Sequence, residues 1–291
     1  MNAALPTHAA AASRSIGDIL VAAGRLSSAD LQRILAKSRE DQSNFGKAAQ
    51  ALGVLTQDDI DFALSQQFDY AYLSANDDSL SPTLVAAYKP FSRVGENLRA
   101  VRSQLMLRWL NGDPMRKMLA VVSAGSGDGK SFIAANLSIV FAQQGERTLL
   151  IDADLRTQQN TALSAQFKLG RNAGLSGILA GRAGLEVAQQ VPGLPGLSVI
   201  TAGAVPPNPQ ELLGRPAFGQ LLLAAAGEFD VVLIDTPNCG AYADAEVIAA
   251  RAGAALLVTR VNKSLIPETN KLARRLQDGG VSLVGSVFND A

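Results

Sequence analysis

The sequence predicts an α/β fold in which a mostly parallel sheet is covered by helices on both faces, preceded by a small all-helical domain. Six short apolar runs follow residue 118, and helical stretches separate them. These runs are apolar throughout rather than alternating, as is typical of strands buried on both faces. A repeated helical pattern occupies residues 15–73. Together these observations predict two domains of different class.

The composition narrows the classes of function. A chain of 291 residues with 47% hydrophobic content is long enough for two packed domains. The 26 basic and 26 acidic residues give zero net charge, so nothing global favours nucleic acid as a partner. Cys239 is the only cysteine and His8 the only histidine. A disulfide framework is therefore excluded, and zinc or histidine-based chemistry lacks the residues it needs.

Two further features bear on location. The first 13 residues lack the basic start and continuous apolar core of a signal peptide. No run of 18 apolar residues occurs, so no transmembrane helix is predicted. We therefore expect a cytoplasmic protein that needs a partner if it works at a membrane.

The front of the chain contains an internal repeat. Gly17, Gly24 and Asp30 recur as Gly46, Gly53 and Asp59, each 29 residues further on. Each unit predicts a short helix stopped by a glycine, then a Ser27 or Thr56 N-cap that opens a second helix. We expect residues 1–14 to be a flexible tail and residues 15–73 to be a domain of two helical hairpins.

A polar segment with two prolines, residues 74–90, is predicted to be a linker. The remaining part, residues 91–291, opens with an arginine-rich amphipathic helix over 91–110. The strand candidates that follow are Leu119–Ser123, Thr148–Ile151, Leu197–Thr201, Val231–Ile234, Ala255–Thr259 and Leu283–Phe288.

A glycine-rich loop follows the first of these strands. It runs Ala124-Gly125-Ser126-Gly127-Asp128-Gly129-Lys130-Ser131 and leads into a helix predicted over Phe132–Gln144. Such a loop turns its backbone N–H groups toward phosphate oxygens, the lysine neutralises the β and γ phosphates, and the serine hydroxyl can bind Mg²⁺. The helix dipole favours the same anion. A chance Gly/Ser turn is the alternative, but the strand, the helix and the Lys-Ser pair favour a P-loop NTPase with residues 125–132 at the nucleotide.

Carboxylates follow two other strands. Asp152 and Asp154 come just after one apolar run, and Asp235 follows another. Ligands of open α/β sheets bind at the carboxyl edge of the strands, so these three acids are expected to converge on Lys130. Mg²⁺ prefers a few hard oxygens and keeps several waters, which Ser131, Asp154 and Asp235 would suit. The alternative for each aspartate is a helix N-cap.

Four linked motifs resemble those of bacterial tyrosine kinases. These are the phosphate loop, the Walker A′-like run Leu149-Leu150-Ile151-Asp152-Ala153-Asp154-Leu155-Arg156, the segment Ala202-Gly203 to Pro206-Pro207-Asn208-Pro209-Gln210-Glu211-Leu212-Leu213, and Glu96-Asn97-Leu98-Arg99-Ala100-Val101-Arg102. The likeness covers residues 91–291 and is greatest to the stand-alone chain-length-determinant (EpsG) type, which serves exopolysaccharide export.

This resemblance implies ATP and Mg²⁺ as cofactors and tyrosine as the phosphate acceptor. Asp152 would be the base that takes the tyrosine proton, since a phenol with a pKa near ~10 needs one. Asp154 and Asp235 would hold the metal, with Ser131, and Lys130 would neutralise the charge on the transferred group. Relatives are activated by a membrane adaptor, the polysaccharide co-polymerase, so recruitment to the inner membrane through such a partner is expected.

Glu96, Arg99 and Arg102 match the motif through which these kinases assemble into rings. They share one helix face, at i, i+3 and i+6. Taken alone, the spacing equally fits an exposed helix with intrahelical ion pairs. The resemblance favours an intersubunit contact and hence a homo-oligomer.

The chain departs from the family pattern in its tyrosines. It has Tyr70, Tyr72, Tyr88 and Tyr242 but no tyrosine cluster near residue 291, where such kinases carry their acceptors. The acceptor is thus another tyrosine or another protein, or the ring is a nucleotide switch with ATPase turnover only. Asn238 also replaces a second proline after Asp235-Thr236-Pro237.

The front domain is similar to the paired helical motifs of type II secretion ATPases, some of which bind cyclic di-GMP. Binding versions carry a cation before each Leu-Gly, where this chain has Ser15 and Asn44. We therefore expect protein docking here rather than cyclic di-GMP.

Two other functions stay open. A positioning ATPase of the MinD or ParA type would dimerise on ATP and bind membrane or DNA, but the loop lacks an early lysine, having Gly125 and Ser126 there. A regulatory module would bind nucleotide without turnover.

Overall fold

The computed structural model describes residues 15–67, 71–74, 77–156, 163–240 and 242–290. The chain forms two compact units, one up to residue 75 and the other from residue 76 onward. The predicted flexible tail, residues 1–14, lies outside the described residues.

The described residues of the first unit form four helices. They are α1 (Ile16–Ala22), α2 (Ser28–Glu40), α3 (Phe45–Ala51) and α4 (Gln57–Gln67). The two predicted N-caps open α2 and α4: the Ser27 hydroxyl accepts the Asp30 N–H at 3.0 Å, and the Thr56 hydroxyl accepts the Asp59 N–H at 3.2 Å. Gly24 and Gly53 take left-handed φ angles of 69° and 64° after α1 and α3.

The repeat extends to the packing of its helices. Leu31 of α2 lies where a side chain on Gly17 would be, and Ile60 of α4 lies against Gly46 in the same way. Both glycines therefore allow a close helix–helix approach at equivalent positions of the two hairpins. The shared core is small and apolar, consisting of Leu20, Leu26, Ile34, Ala48, Ala49, Leu55 and Ala63.

Ser15 and Asn44 act as N-caps of α1 and α3. The Ser15 hydroxyl accepts the Asp18 N–H at 3.2 Å, and the Asn44 side-chain oxygen Oδ1 accepts the Lys47 N–H at 2.9 Å. Both side chains thus satisfy helix N–H groups of their own chain.

The second unit contains the sheet. Its strands are β1 (Met118–Val122), β2 (Thr148–Asp152), β3 (Gln189–Gln190), β4 (Leu197–Ile200), β5 (Val231–Asp235), β6 (Ala254–Arg260) and β7 (Ser282–Asn289). Its helices are α5 (Val85–Tyr88), α6 (Arg93–Arg108), α7 (Lys130–Ala142), α8 (Leu163–Gln166), α9 (Gly174–Leu179), α10 (Pro209–Gly214), α11 (Pro216–Glu228), α12 (Asp244–Ala252) and α13 (Ile266–Asp278).

The strand order is β3-β4-β2-β5-β1-β6-β7. All neighbours pair in parallel except β3, which runs antiparallel to β4. The predicted α/β class with a mostly parallel sheet is confirmed, and all six predicted strands are present within one or two residues of their expected bounds. The two-residue strand β3 was not predicted, because two glutamines carry no apolar signal.

Helices cover both faces of the sheet. Ala120 and Val122 of β1 belong to the large core that packs under α9 to α13. Leu119 and Val121 alternate with them and point to the other face, where α7 packs. Helix α7 is buried along almost its whole length, since α5 and α6 lie over it.

Residues 77–90, predicted to be part of a linker, instead belong to the second unit and pack within it. Leu80, Leu84, Ala86 and Ala87 are buried there. The buried Asn136 of α7 holds this segment: its Oδ1 accepts the Ala86 N–H at 2.9 Å and its Nδ2 donates to the Thr83 carbonyl at 3.3 Å. The two prolines mark turns within a packed segment, which composition alone does not separate from a linker.

Within the described part of the chain, none of the helices is both long and apolar enough to cross a bilayer.

Candidate active site

The predicted site residues meet at one edge of the sheet. The strands β2, β5 and β1 are neighbours, and the chain leaves all three at their carboxyl ends. Asp152 ends β2, Asp235 ends β5, and the loop after β1 leads to Lys130. The switch from strand to loop places polar groups where ligands of open α/β sheets bind.

The loop has the backbone shape that phosphate binding requires. Gly127 and Gly129 adopt φ angles of 72° and 99°, which L-residues with side chains rarely take. A Cβ on Gly129 would collide with the Asn289 amide. Because Gly129 takes this conformation, α7 starts directly at Lys130, two residues earlier than predicted.

The side chains of the loop are largely buried and bonded within it. Lys130 Nζ donates to the Ser123 hydroxyl at 3.1 Å, and that hydroxyl donates to the Gly125 carbonyl at 2.8 Å. The Asp128 carboxylate accepts the Gly125 N–H at 2.9 Å, while its second oxygen, also buried, has no partner among the described residues. Lys130 Nζ is thus held beside the loop by Ser123, and its charge acts on the carboxylate of Asp235.

The carboxylates of Asp152 and Asp235 lie side by side. The two residues are cross-strand partners of the parallel pair β2–β5. Both are almost completely buried, and one oxygen of each lacks a hydrogen-bond partner in the described chain. Burial raises the pKa of Asp235 to about 7, although a hydrogen bond from Ser131 and the charge of Lys130 act in the opposite direction. Burial, and then the neighbouring Asp235, raise the pKa of Asp152 as well.

Asp154 is only partly buried and lies next to this pair. Its N–H donates to Asp152 at 3.2 Å, and its carboxylate accepts the Arg156 N–H at 3.1 Å. Arg156 in turn forks onto the buried Asp244, with Nε–Oδ2 at 2.6 Å and Nη2–Oδ1 at 3.0 Å. The Asp-x-Asp-x-Arg run therefore connects the carboxylate pair to the start of α12.

The donor set fits a magnesium-bound nucleotide. One buried carboxylate oxygen of Asp152 and one of Asp235 have no partner among the described residues, which is costly unless a cation or proton reaches them. The Ser131 hydroxyl is near enough to Asp235 to lower the pKa of that carboxylate, so both face one position. In the described chain no three acidic, histidine or cysteine residues cluster closely enough to hold a metal alone. Mg²⁺ typically binds through one or two carboxylates and completes its shell with phosphate and water.

Three residues that the sequence did not indicate support the loop. Asn289, at the end of β7, donates to the Asp128 carbonyl at 3.1 Å. Arg260 donates to the Gly127 carbonyl at 3.1 Å, and Lys263 to the Ser126 carbonyl at 2.7 Å. They come from β6, the turn that follows it and β7, on the opposite side of β1 from the carboxylates, so the loop is held from both sides. No local motif marks them, because their partners are more than 130 positions away.

The predicted assembly residues lie on α6. Glu96 is exposed and pairs with Arg99 at 2.6 Å. Arg99 also donates to the Pro90 carbonyl at 2.6 Å, and Arg102 donates to the Val140 carbonyl at 3.2 Å. The arginines thus serve the packing of α6, whereas Glu96 faces outward.

The model of the CobQ/CobB/MinD/ParA nucleotide binding domain matches residues 119–290. The putative tyrosine-protein kinase EpsB of Ralstonia solanacearum is 39% identical over 194 residues, which cover 67% of this chain and 25% of EpsB. The tyrosine-protein kinase YwqD of Bacillus subtilis (strain 168) is 34% identical over 206 residues, covering 71% of this chain and 85% of YwqD. The chain thus spans about a quarter of EpsB but most of YwqD.

Solved structures of the same kinds of protein are similar to this chain. The kinase domain of Escherichia coli tyrosine kinase ETK superposes with a TM-score of 0.66 at 34% identity, covering 72% of this chain and 80% of that one. The septum site-determining protein MinD of Pyrococcus horikoshii, complexed with Mg-ADP, gives a TM-score of 0.51 at 28% identity over 60% of this chain and 70% of MinD. Similarity to the kinase domain is therefore both greater and more extensive.

Proposed function

Because this chain belongs to the CobQ/CobB/MinD/ParA nucleotide-binding family and, within it, to the tyrosine-protein kinases that include YwqD, we propose that it is an ATP-dependent protein-tyrosine kinase. Its role would be to regulate the chain length, polymerisation or export of an exopolysaccharide. The observation that carries the proposal is the meeting of Lys130, Asp152 and Asp235 at one sheet edge, beside a loop shaped for phosphate.

Asp152 is the proposed base. Its buried carboxylate has an oxygen without a partner in the described chain, and its pKa is raised by burial. A carboxylate with a raised pKa accepts a proton more readily near neutral pH, which suits the removal of the proton from a tyrosine hydroxyl. The N–H of Asp154 bonds to the other oxygen and fixes the orientation of the group.

The proposed Mg²⁺ ligands are Ser131, Asp154 and Asp235. The proposed nucleotide-binding residues are 125–132. When bound, Mg²⁺ would neutralise part of the negative charge that develops on the phosphates. The backbone N–H groups after Gly127 and the first turn of α7 would orient the phosphates. Lys130, held near the loop by Ser123, supplies the balancing positive charge on the side of the transferred group.

A positioning ATPase like MinD is the alternative. It shares the fold, but the kinase domain of ETK superposes better, with a TM-score of 0.66 against 0.51. ATP-dependent pelleting with lipid vesicles, without label on any tyrosine, would favour the alternative.

The test is phosphate transfer to an added tyrosine polymer. Wild-type protein with Mg²⁺ and γ-labelled ATP should label a Glu–Tyr copolymer on tyrosine, and Lys130→Met should lose the label. Lys47→Met, which changes an exposed lysine of α3, is the matched control and should retain it. A wild-type protein that never labels the polymer, or a Lys130→Met variant that still does, would contradict the proposal.

A membrane partner and a homo-oligomeric ring complete the proposed function. The family resemblance supports both, since related kinases act with a polysaccharide co-polymerase as adaptor, and Glu96 has an exposed side chain on α6. Recruitment from the cytoplasm to the inner membrane would then depend on that adaptor.

We further propose that the front domain, residues 15–73, docks a protein. Ser15 and Asn44 cap helices of their own chain and provide no cation for a phosphate, which argues against cyclic di-GMP.

A further inference from the structure

Tyr242 lies at the same sheet edge as the carboxylates, in the loop between β5 and α12. Tyr242 is 47% exposed, which makes it the most exposed of the described tyrosines. Its hydroxyl is therefore open to a reaction partner. Tyr88 uses its hydroxyl twice on Leu80, accepting its N–H at 3.1 Å and donating to its carbonyl at 2.9 Å. Tyr72 is only partly exposed, and Asp58 and Asp61 add negative charge near it.

The surroundings of Tyr242 favour a phosphate. The Arg156 guanidinium lies 3.6 Å from the centre of its ring, while the same group forks onto the buried Asp244. Asp244 accepts hydrogen bonds from Nε and Nη2 of Arg156. A guanidinium carries five N–H donors, so this contact uses only part of its capacity. A phosphotyrosine brings a charge of about −1.5 to −2 at pH 7, for which an adjacent arginine is the preferred partner.

The connection to the catalytic centre is short in sequence and in space. Arg156 is two residues from Asp154, whose carboxylate accepts the Arg156 N–H at 3.1 Å. Asp154 in turn bonds to Asp152. One continuous set of contacts therefore joins the proposed base to the ring of Tyr242.

From this arrangement we propose that Tyr242 is a phosphate acceptor of the kinase, with Arg156 as the counter-ion of the phosphotyrosine; the inference rests on the proposed function. In the step, the Tyr242 oxygen forms a bond to the γ phosphorus of ATP while the bond from that phosphorus to the β–γ bridging oxygen breaks. ADP leaves with that electron pair, and the hydroxyl proton passes to a carboxylate. Phosphotyrosine at residue 242 and ADP are the products.

The experiment incubates the full chain with Mg²⁺ and γ-labelled ATP, maps the labelled tyrosines by mass spectrometry and assays the Glu–Tyr copolymer in parallel. We expect Tyr242 to be labelled and Tyr242→Phe to lose most of the label on the chain, while labelling of the copolymer continues. Tyr72→Phe is the matched control and should keep the label. Arg156→Lys retains the charge without the fork and should lower the labelled fraction at Tyr242.

The outcomes separate the two claims. Copolymer labelling with no phosphate on Tyr242, or with chain labelling unchanged in Tyr242→Phe, would overturn the inference and leave the kinase proposal standing. Absence of label from both the chain and the copolymer would overturn both.

Discussion

At the scale of single residues, two buried carboxylates of the site lower the stability of the protein without ligand. Asp152 and Asp235 are buried next to each other, and one oxygen of each has no partner within the described residues. An arrangement that stabilised the empty protein would pair or replace these groups. Their presence is therefore explained by a ligand that supplies positive charge, at the expense of stability without it.

The pH dependence of stability tests this at Asp235. Its pKa is raised from 3.8 to about 7, so the folded protein binds more protons there than the unfolded chain does. The free energy of unfolding should then fall as the pH rises from about 4 to about 7 and level off above. Without nucleotide, Asp235→Asn should melt at a higher temperature than wild type at pH 8, with the difference shrinking toward pH 4. Mg-ATP should stabilise wild type more than the variant.

Asp230→Asn is the control with the opposite sign. Asp230 accepts two bonds from the Arg147 guanidinium, at 2.7 and 3.0 Å, and hydrogen bonding from Arg147 lowers the pKa of Asp230. Its contribution is present above the unfolded pKa and lost as the pH falls, so Asp230→Asn should destabilise at pH 8 and become neutral in acid. A destabilised Asp235→Asn at pH 8 would contradict the argument.

At the scale of elements, one side chain of α7 holds the segment that precedes the sheet. Asn136 makes bonds to Ala86, Thr83 and, within its own helix, Phe132. Asn136→Ala leaves the buried Ala86 N–H without its partner, which typically costs about 1–3 kcal/mol. We expect the free energy of unfolding, measured by chemical denaturation, to fall by this amount. Hydrogen exchange at residues 83–87 should become faster.

Gln143→Ala provides the graded comparison. It removes the bond from Nε2 to the Ala86 carbonyl at 2.9 Å, near the end of the same helix, where water can replace the donor. Its cost should be smaller, about 0.5–1.5 kcal/mol. Equal costs for the two variants would mean that Asn136 does not hold the segment in the way described.

The elements also show what the sequence could predict. Strands that are apolar throughout, the glycines of the loop and the aspartates at strand ends are local patterns, and each was found in its expected place. The packing of residues 77–90 depends on Asn136, about 50 positions away, and a polar segment with prolines carries no sign of it. The contacts of Asn289, Arg260 and Lys263 with the loop were missed for the same reason, since only the folded sheet brings them together.

At the scale of the whole molecule, the proposed ring depends on Glu96. Glu96 is exposed and its ion pair with Arg99 joins two residues of one helix, which is worth at most about 1 kcal/mol at a surface. If Glu96 contacts another subunit, Glu96→Lys should reduce the mass measured by light scattering to that of the monomer. The melting temperature should stay nearly unchanged, because little in its own subunit depends on Glu96.

The matched control is Glu40→Lys, the same change of charge at an exposed position of α2. It should leave the mass unchanged. If wild type is an oligomer and the Glu96→Lys protein has the same mass, the intrahelical interpretation of the motif is correct. The ring contact then lies elsewhere.

The pairing of β2 with β5 has a consequence for how this protein can vary over time. Asp152 stands opposite Asp235 because two backbones are aligned by their hydrogen bonds, and deleting one residue from either strand would turn one carboxylate to the far side of the sheet. Insertions and deletions should thus accumulate in the connecting loops and be absent from these two strands. The register of the two strands sets the distance between the acids, so mutations in the neighbouring loops leave that distance unchanged.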